Sequence, residues 1–109
     1  MKDCRRYFEA MPGAYRRSAG ARMTAVYQFE LSGDGGGQWG VALREGELSV
    51  AQGRHDRPDV TIAASAEDYC DIAEGRLGSM RALATGRLKV RGSLALALKL
   101  PGLFHTTRA

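Results

Sequence analysis

Acidic residues are missing from the last third of this 109-residue chain. Residues 76–109 hold seven arginines and lysines and no aspartate or glutamate, whereas residues 1–25 hold six basic groups against two acidic and residues 26–75 three against ten. The ends are therefore positive and the middle negative. Ends that meet in space would form a positive pole able to attract a phosphate-bearing head group or an anionic surface. Long apolar runs are missing as well. No stretch approaches the roughly 20 apolar residues that a membrane-spanning helix needs, and no apolar N-terminal run resembles a secretion signal, so the expected setting is the cytoplasm.

Residues that hold metals or run covalent chemistry are equally sparse. Cysteine occurs only at Cys4 and Cys70 and histidine only at His55 and His105, none with a partner at a metal-ligand spacing. No metal is expected. The two cysteines read as reduced thiols, Cys70 as a small core residue inside a helical pattern. Gly35-Gly36-Gly37-Gln38-Trp39-Gly40 matches the GxGxxG spacing letter by letter. It opens a strand rather than a helix, however, so no helix dipole would meet a pyrophosphate there, and no cofactor is expected. Glu67, Asp68, Asp71 and Glu74 lie at helical spacings that include solvated faces. No catalytic constellation is visible, which points away from an enzyme. The aromatics fall where a core needs them, leaving few to interleave with basic residues, and no nucleic-acid partner is expected.

What the chain does have is periodicity. At 109 residues and 44% apolar content it reads as one domain, residues 1–109. Residues 3–11 have helical spacing, with Tyr7, Phe8 and Met11 on one face and Pro12-Gly13 as the expected stop. The period then changes to two. Tyr27, Phe29 and Leu31 alternate with polar residues; Trp39, Val41 and Leu43 follow a glycine-rich turn; Leu48 and Val50 follow Glu45-Gly46. Such short connections imply an antiparallel meander. Val60–Ala64 is a fourth strand. Ser65 caps a helix with Tyr69, Ile72 and Ala73 inward. A second short helix, about residues 79–85, offers Met80, Leu83 and Ala84 inward, and residues 87–91 form a fifth strand. Strands in a run followed by helices give an α+β fold of about five mostly antiparallel strands, with helices covering one face.

The segment Leu94-Ala95-Leu96-Ala97-Leu98-Lys99-Leu100 alternates like a strand but has a helix composition. It lacks β-branched residues, Ser93 can cap it and Pro101 can end it, so a helix is expected. At 100° per residue Leu94 and Leu98 then form one stripe, and Leu96 and Leu100 a second about 160° away. One stripe can pack on the sheet; the other needs a partner.

Three stretches together resemble the sterol carrier protein type 2 (sterol-binding) domain family, in its small bacterial-type form, over about residues 4–104. They are Gln38-Trp39-Gly40-Val41-Ala42-Leu43; Pro58-Asp59-Val60-Thr61-Ile62 leading through Ser65-Ala66-Glu67-Asp68 to Ile72 and Gly75; and Gly86-Arg87-Leu88-Lys89-Val90-Arg91-Gly92 followed by Leu96–Leu100. The resemblance implies a mixed sheet with helices on one face, enclosing an elongated apolar tunnel that the last helix helps to close. It implies a carrier of sterols, fatty acids, acyl-coenzyme A or phospholipids, with no catalytic residues. The chain departs from the family at Leu83-Ala84, where relatives carry bulky aromatics, and at Pro101. It ends Thr107-Arg108-Ala109 and not on a peroxisomal SKL tripeptide.

On this reading the ligand-lining residues are Tyr27, Phe29, Trp39 and Val41 from the sheet, Met80 and Leu83 from the second of the paired helices, and Leu94, Leu98, Leu103 and Phe104 from the end. Arg87, Lys89 and Arg91 are candidates to meet an anionic head group or membrane. A rival reading makes the terminal helix a docking surface for a partner enzyme or a second copy, with no transported ligand. A third gives Cys70 a reactive thiol.

Overall fold

Alternating sequence becomes alternating burial. The computed structural model describes residues 3–104, which leaves His105 and Thr107-Arg108-Ala109 outside the described residues. Strands β1 (Ala25–Ser32), β2 (Gly37–Arg44), β3 (Glu47–Gln52), β4 (Val60–Ser65) and β5 (Leu88–Gly92) form one sheet in the order β3-β2-β1-β4-β5. Phe29 pairs with Trp39 on one side and Ile62 on the other, and Tyr27 pairs with Val41 and Val60. These registers gather Tyr27, Phe29, Leu31, Trp39, Val41, Leu43, Val60 and Ile62 onto one face as the core. Between β2 and β3, Glu45 (φ 50°) and Gly46 (φ 85°) are both left-handed, as a two-residue hairpin turn of this twist requires.

Three strand pairs are antiparallel, but β1 and β4 run parallel. The reason is the loop 53–59, which crosses the solvent side of β2 and β1 instead of turning back beside β3. Gln28 holds it in place. Although only 2% exposed, Gln28 donates through Nε2 to Gly53 O (3.0 Å) and Phe29 O (3.3 Å) and accepts from His55 N (2.9 Å). The His55 ring lies where a side chain on Gly40 would stand, so any larger residue there would have to displace it. Asp59 closes the loop, accepting from Val26 N through Oδ2 (2.7 Å) and donating through its own N–H to Val26 O (2.9 Å).

Helices α1 (Arg5–Ala14), α3 (Ala66–Ala73), α4 (Ser79–Ala84) and α5 (Leu94–Lys99) surround the core, with α2 (Arg17–Gly20) and a 3₁₀ turn (Leu100–Leu103) beside them. Ser65 and Ser93 cap α3 and α5 as expected, accepting from Asp68 N (3.0 Å) and Leu96 N (3.2 Å). Two expectations change. Helix α1 runs through Pro12 and ends at Ala14. Proline there removes one donor, the one owed to the Phe8 carbonyl, and its φ is helical. The stop is instead tertiary: Tyr15 turns extended, donates from its hydroxyl to Gly46 O (2.6 Å) and bridges to Phe104. On α4, Ala82 is the buried residue, Leu83 is half-buried, and Met80 and Ala84 face solvent. Leu77, just before the helix, is buried. Among the described residues no helix is long and apolar enough to cross a membrane.

Candidate functional site

The sheet's apolar face is covered in two unlike halves. Helices α1 and α3 close the first half with an aromatic stack. The Phe8 ring lies between those of Trp39 (4.9 Å between centroids, 2° between planes) and Tyr69 (5.3 Å, 5°), and meets Phe29 edge-on (5.1 Å, 69°). Phe8 and Cys70 are fully buried, and of the sequence-expected lining residues Tyr27, Phe29, Trp39 and Val41 are all in this packed core. One polar atom in it is unsatisfied: Trp39 Nε1 is buried and has no hydrogen-bond partner among the described residues. Phe8 and Tyr69 are the residues that sequence reasoning did not place at the site. Their helical spacing marked them as inward or not, but not which aromatic they would meet.

Helices α4 and α5 cover the second half more thinly, α4 against β5 and α5 against β4 and β5. The Tyr27 hydroxyl donates to Leu96 O (2.8 Å), tying α5 to the middle of the sheet. Burial, with a smaller contribution from the Asp59 charge, raises the Tyr27 pKa. Leu96, Ala97 and Leu100 pack on the core half-buried, as do Leu88 and Val90 beneath them. The other stripe is left over. Leu94 is 49% exposed, Leu98 53% and Met80 63%. Of the remaining expected lining residues, Leu103 is buried in the core, Phe104 is half-buried against Tyr15 (6.1 Å between rings) and Leu83 is half-buried on α4. Of the ten residues, Tyr27, Phe29, Trp39, Val41 and Leu103 are in the closed core, Leu83 and Phe104 are half-buried, and Met80, Leu94 and Leu98 are exposed.

Lys89 and Arg91 alternate along β5 with the core-facing Leu88 and Val90 and so lie on the opposite face of the sheet, and Arg87 immediately precedes the strand. Arg87 approaches Asp68 (3.7 Å), and Arg91 approaches Glu30 (3.6 Å), which also pairs with Arg54 (3.0 Å). With their side chains largely exposed, such pairs hold the arginines only loosely. Arg87 and Lys89 line an open cleft of about 670 Å³, together with Leu31, Gly37 and Ser65, at the end of the sheet nearest the β1–β2 turn. Arg91 lines a smaller one of about 320 Å³ with Glu30, Arg54 and His55.

The two thiols are buried against each other. Cys4 Sγ lies 3.3 Å from Cys70 Sγ and 3.4 Å from Ala66 O, all buried. Burial first, then the hydrogen bond and charge of Cys70, push the Cys4 thiol up to about 12. That is the reverse of the exposed, electropositive setting that makes a cysteine reactive. Burial likewise raises the Tyr69 phenol beside the two sulfurs. Among the described residues no cluster of three or more histidine, cysteine or carboxylate side chains is placed to hold a metal.

Comparison with known proteins follows the same lines. The profile of the SCP-2 sterol transfer family matches residues 7–105. Hydroxysteroid dehydrogenase-like protein 2 of Rattus norvegicus is 42% identical over 80 residues, which is 72% of this chain and 15% of that protein. The chain spans 15% to 22% of the length of the curated relatives it matches. Among solved structures, sterol carrier protein 2 like 2 of Aedes aegypti is 29% identical, with 91% of each chain covered and a TM-score of 0.73. The palmitated form of SCP2L2 from Aedes aegypti is 26% identical, covering 96% of this chain and 93% of that one, with a TM-score of 0.75.

Proposed function

The chain belongs to the SCP-2 sterol transfer family, and on that premise we propose that it binds and carries an elongated apolar ligand: a sterol, a fatty acid, an acyl-coenzyme A or a phospholipid. The ligand lies between the apolar face of the sheet and the helices that cover it. The observation that carries this reading is the exposed pair Leu94 and Leu98 on α5, the same short helix whose Leu96, Ala97 and Leu100 are half-buried on the core. Exposed leucines bordering a thin part of a core provide both a site of entry and unspent driving force. Each CH₂ that leaves water contributes about 0.8 kcal/mol, so a long acyl chain or a sterol skeleton binds without many polar contacts. The palmitated mosquito relative supports an acyl chain as one such ligand.

The protein contributes desolvation and containment, and it acts without catalytic residues. Helix α5 is held to the sheet by the Tyr27 hydroxyl bond and by its half-buried stripe, so it is the element whose displacement makes room. The basic strand face of Arg87, Lys89 and Arg91 receives an anionic head group or an anionic membrane during exchange. Most of the length of the curated relatives lies outside the matched region, which supports delivery to a partner enzyme. The reading is tested by native mass spectrometry of the protein purified from cells. Co-purified lipid on the folded chain is the expected result. An empty protein that also fails to bind cis-parinaric acid would remove it.

A further inference from the structure

The chain is basic towards both ends, and the fold brings those two regions together. Tyr15 bridges to Phe104, the Arg16 N–H donates to Leu103 O (2.7 Å), and α2 packs on the 3₁₀ turn that follows α5. The loop after α2 closes on the β2–β3 turn. There the Gly46 N–H donates to Met23 O (3.0 Å), the Tyr15 hydroxyl donates to Gly46 O (2.6 Å), and Gly46 lies against the Ala21 backbone. Arg16, Arg17 and Arg22 from one region, Lys99 from the other and Arg44 from β2 thereby share one end of the molecule, all exposed. Glu45 and Glu47, on the same turn, are the carboxylates that these contacts bring with them. Elsewhere Arg6, Arg54, Arg76, Arg87 and Arg91 each have a carboxylate nearby, the most distant at 3.7 Å. The five cations at this end have no such partner among the described residues. Beside them lies bare apolar surface: Lys99 stands between Leu98 and Pro101 in sequence, all three exposed, while the stripe of Leu96, Ala97 and Leu100 turns to the core.

We propose that this end, formed by α2, the loop 21–24, the 3₁₀ turn and the last turn of α5, is the surface by which the chain docks on an anionic lipid membrane. Unpaired charges of one sign set up a field that an anionic surface completes. A cation cluster alone would suit any acidic face; the leucine next to Lys99 favours a lipid one, because it can reach below the head groups that the cations meet. Such a contact is reversible and weakens with salt, since each basic residue near the surface adds only modestly to the affinity. Docking in this way sets α5 against the bilayer, so the thinly covered half of the sheet opens towards lipid and not towards water. The basic face of β5 is then left to the head group of a cargo. The use of the surface rests on the carrier reading above, but its existence is tested without any cargo.

The test is sedimentation of the protein with vesicles of phosphatidylcholine alone, and of equal parts phosphatidylcholine and phosphatidylglycerol, at low and at high salt. The unaltered chain should bind the mixed vesicles, leave them in high salt and ignore the neutral ones. Arg16→Glu combined with Arg17→Glu should weaken binding at least about tenfold. Arg87→Glu combined with Lys89→Glu makes the same change of net charge at β5 and should alter binding little. All four side chains are exposed, and binding of cis-parinaric acid should be equal in the three proteins, which also shows that the variants are folded. Equal binding to both kinds of vesicle, binding that high salt leaves intact, or equal losses in the two double variants overturns the proposal. So does a failure to bind the mixed vesicles, which would turn the patch towards an acidic protein face. The salt and lipid dependence is read on the unaltered chain, so the proposal is tested even if a variant does not fold. Absence of cis-parinaric acid binding from the unaltered chain counts against the carrier reading and leaves the vesicle result to decide this one.

Discussion

Helices α1 and α3 cover one half of the sheet's apolar face, and helices α4 and α5 the other, with opposite results. On the first half Phe8 is wedged between Trp39 and Tyr69, and Cys4 against Cys70, with no solvent reaching any of the four residues Cys4, Phe8, Phe29 and Cys70 beyond 1%. On the second half six-residue helices rest on half-buried leucines while three large apolar side chains face water. The sheet beneath is continuous, so the contrast comes from the covering helices. The first half supplies the stability that keeps the fold together, and the second keeps its apolar surface available. A carrier needs both, since a ligand can enter only where the cover is weaker than the fold.

The sharpest way to break this comparison is at Phe8. Phe8→Ala removes the middle of the aromatic stack and should cost about 3–5 kcal/mol in urea unfolding, as large core truncations do. A cost below 1 kcal/mol would mean that the first half is not the stable one. Alkaline pH should attack the same half. A thiol whose folded pKa is raised keeps its proton in the native state where the unfolded chain has lost it. The stability tied to that proton is complete below the ordinary thiol range and falls as pH rises toward about 12 for Cys4. The loss is at most about 1.4 kcal/mol per pH unit for one group. Tyr27 and Tyr69, also raised, add to the decline at the upper end of that window. Cys4→Ala should flatten the lower part of the profile; an unchanged slope would show that the thiol is not responsible.

Effects on the second half should be smaller in stability and larger in motion. Tyr27→Phe deletes the bond to the Leu96 carbonyl and should cost about 1 kcal/mol, with faster hydrogen exchange confined to α5 and the following turn. Exchange that quickens equally in α1 would contradict a hinge at α5. Leu98→Asp should cost no more than about 1 kcal/mol in unfolding free energy, because about half of the side chain is already in water and the remaining cost is that of an aspartate near a helix C-terminus.

How much of this was readable in advance depends on how local each signal is. Tyr27, Phe29, Trp39 and Val41 alternate with small or polar residues and are themselves aromatic or β-branched, so period and composition agree on a half-buried strand, whereas in Leu94–Leu100 they conflict. Ser65 and Ser93 announce their helices because a cap is a contact across three residues. The two stripes of α5 follow from the 100° step alone. Which stripe faces the sheet does not, because that depends on the Tyr27 hydroxyl reaching Leu96 from another element. Met80 and Ala82 illustrate the same limit: six residues carry too little pattern to fix which of them turns inward. The parallel pairing of β4 with β1 rests on Gln28 holding a loop 25 to 27 residues away in sequence. The meeting of Cys4 with Cys70 and the solitary Trp39 N–H are likewise products of packing. Nothing in the neighbouring residues of either could have announced them.

The central claim is that an apolar ligand enters through the thinly covered half without undoing the other. Titration with cis-parinaric acid, followed by energy transfer from the single tryptophan, tests it most directly, on the unaltered chain and on Leu98→Asp side by side. The account predicts saturable binding by the unaltered chain and at least about tenfold weaker binding by Leu98→Asp, corresponding to about 1.4 kcal/mol, at nearly equal stability. Saturable binding that is identical in the two proteins, or no saturable binding in either, would contradict it.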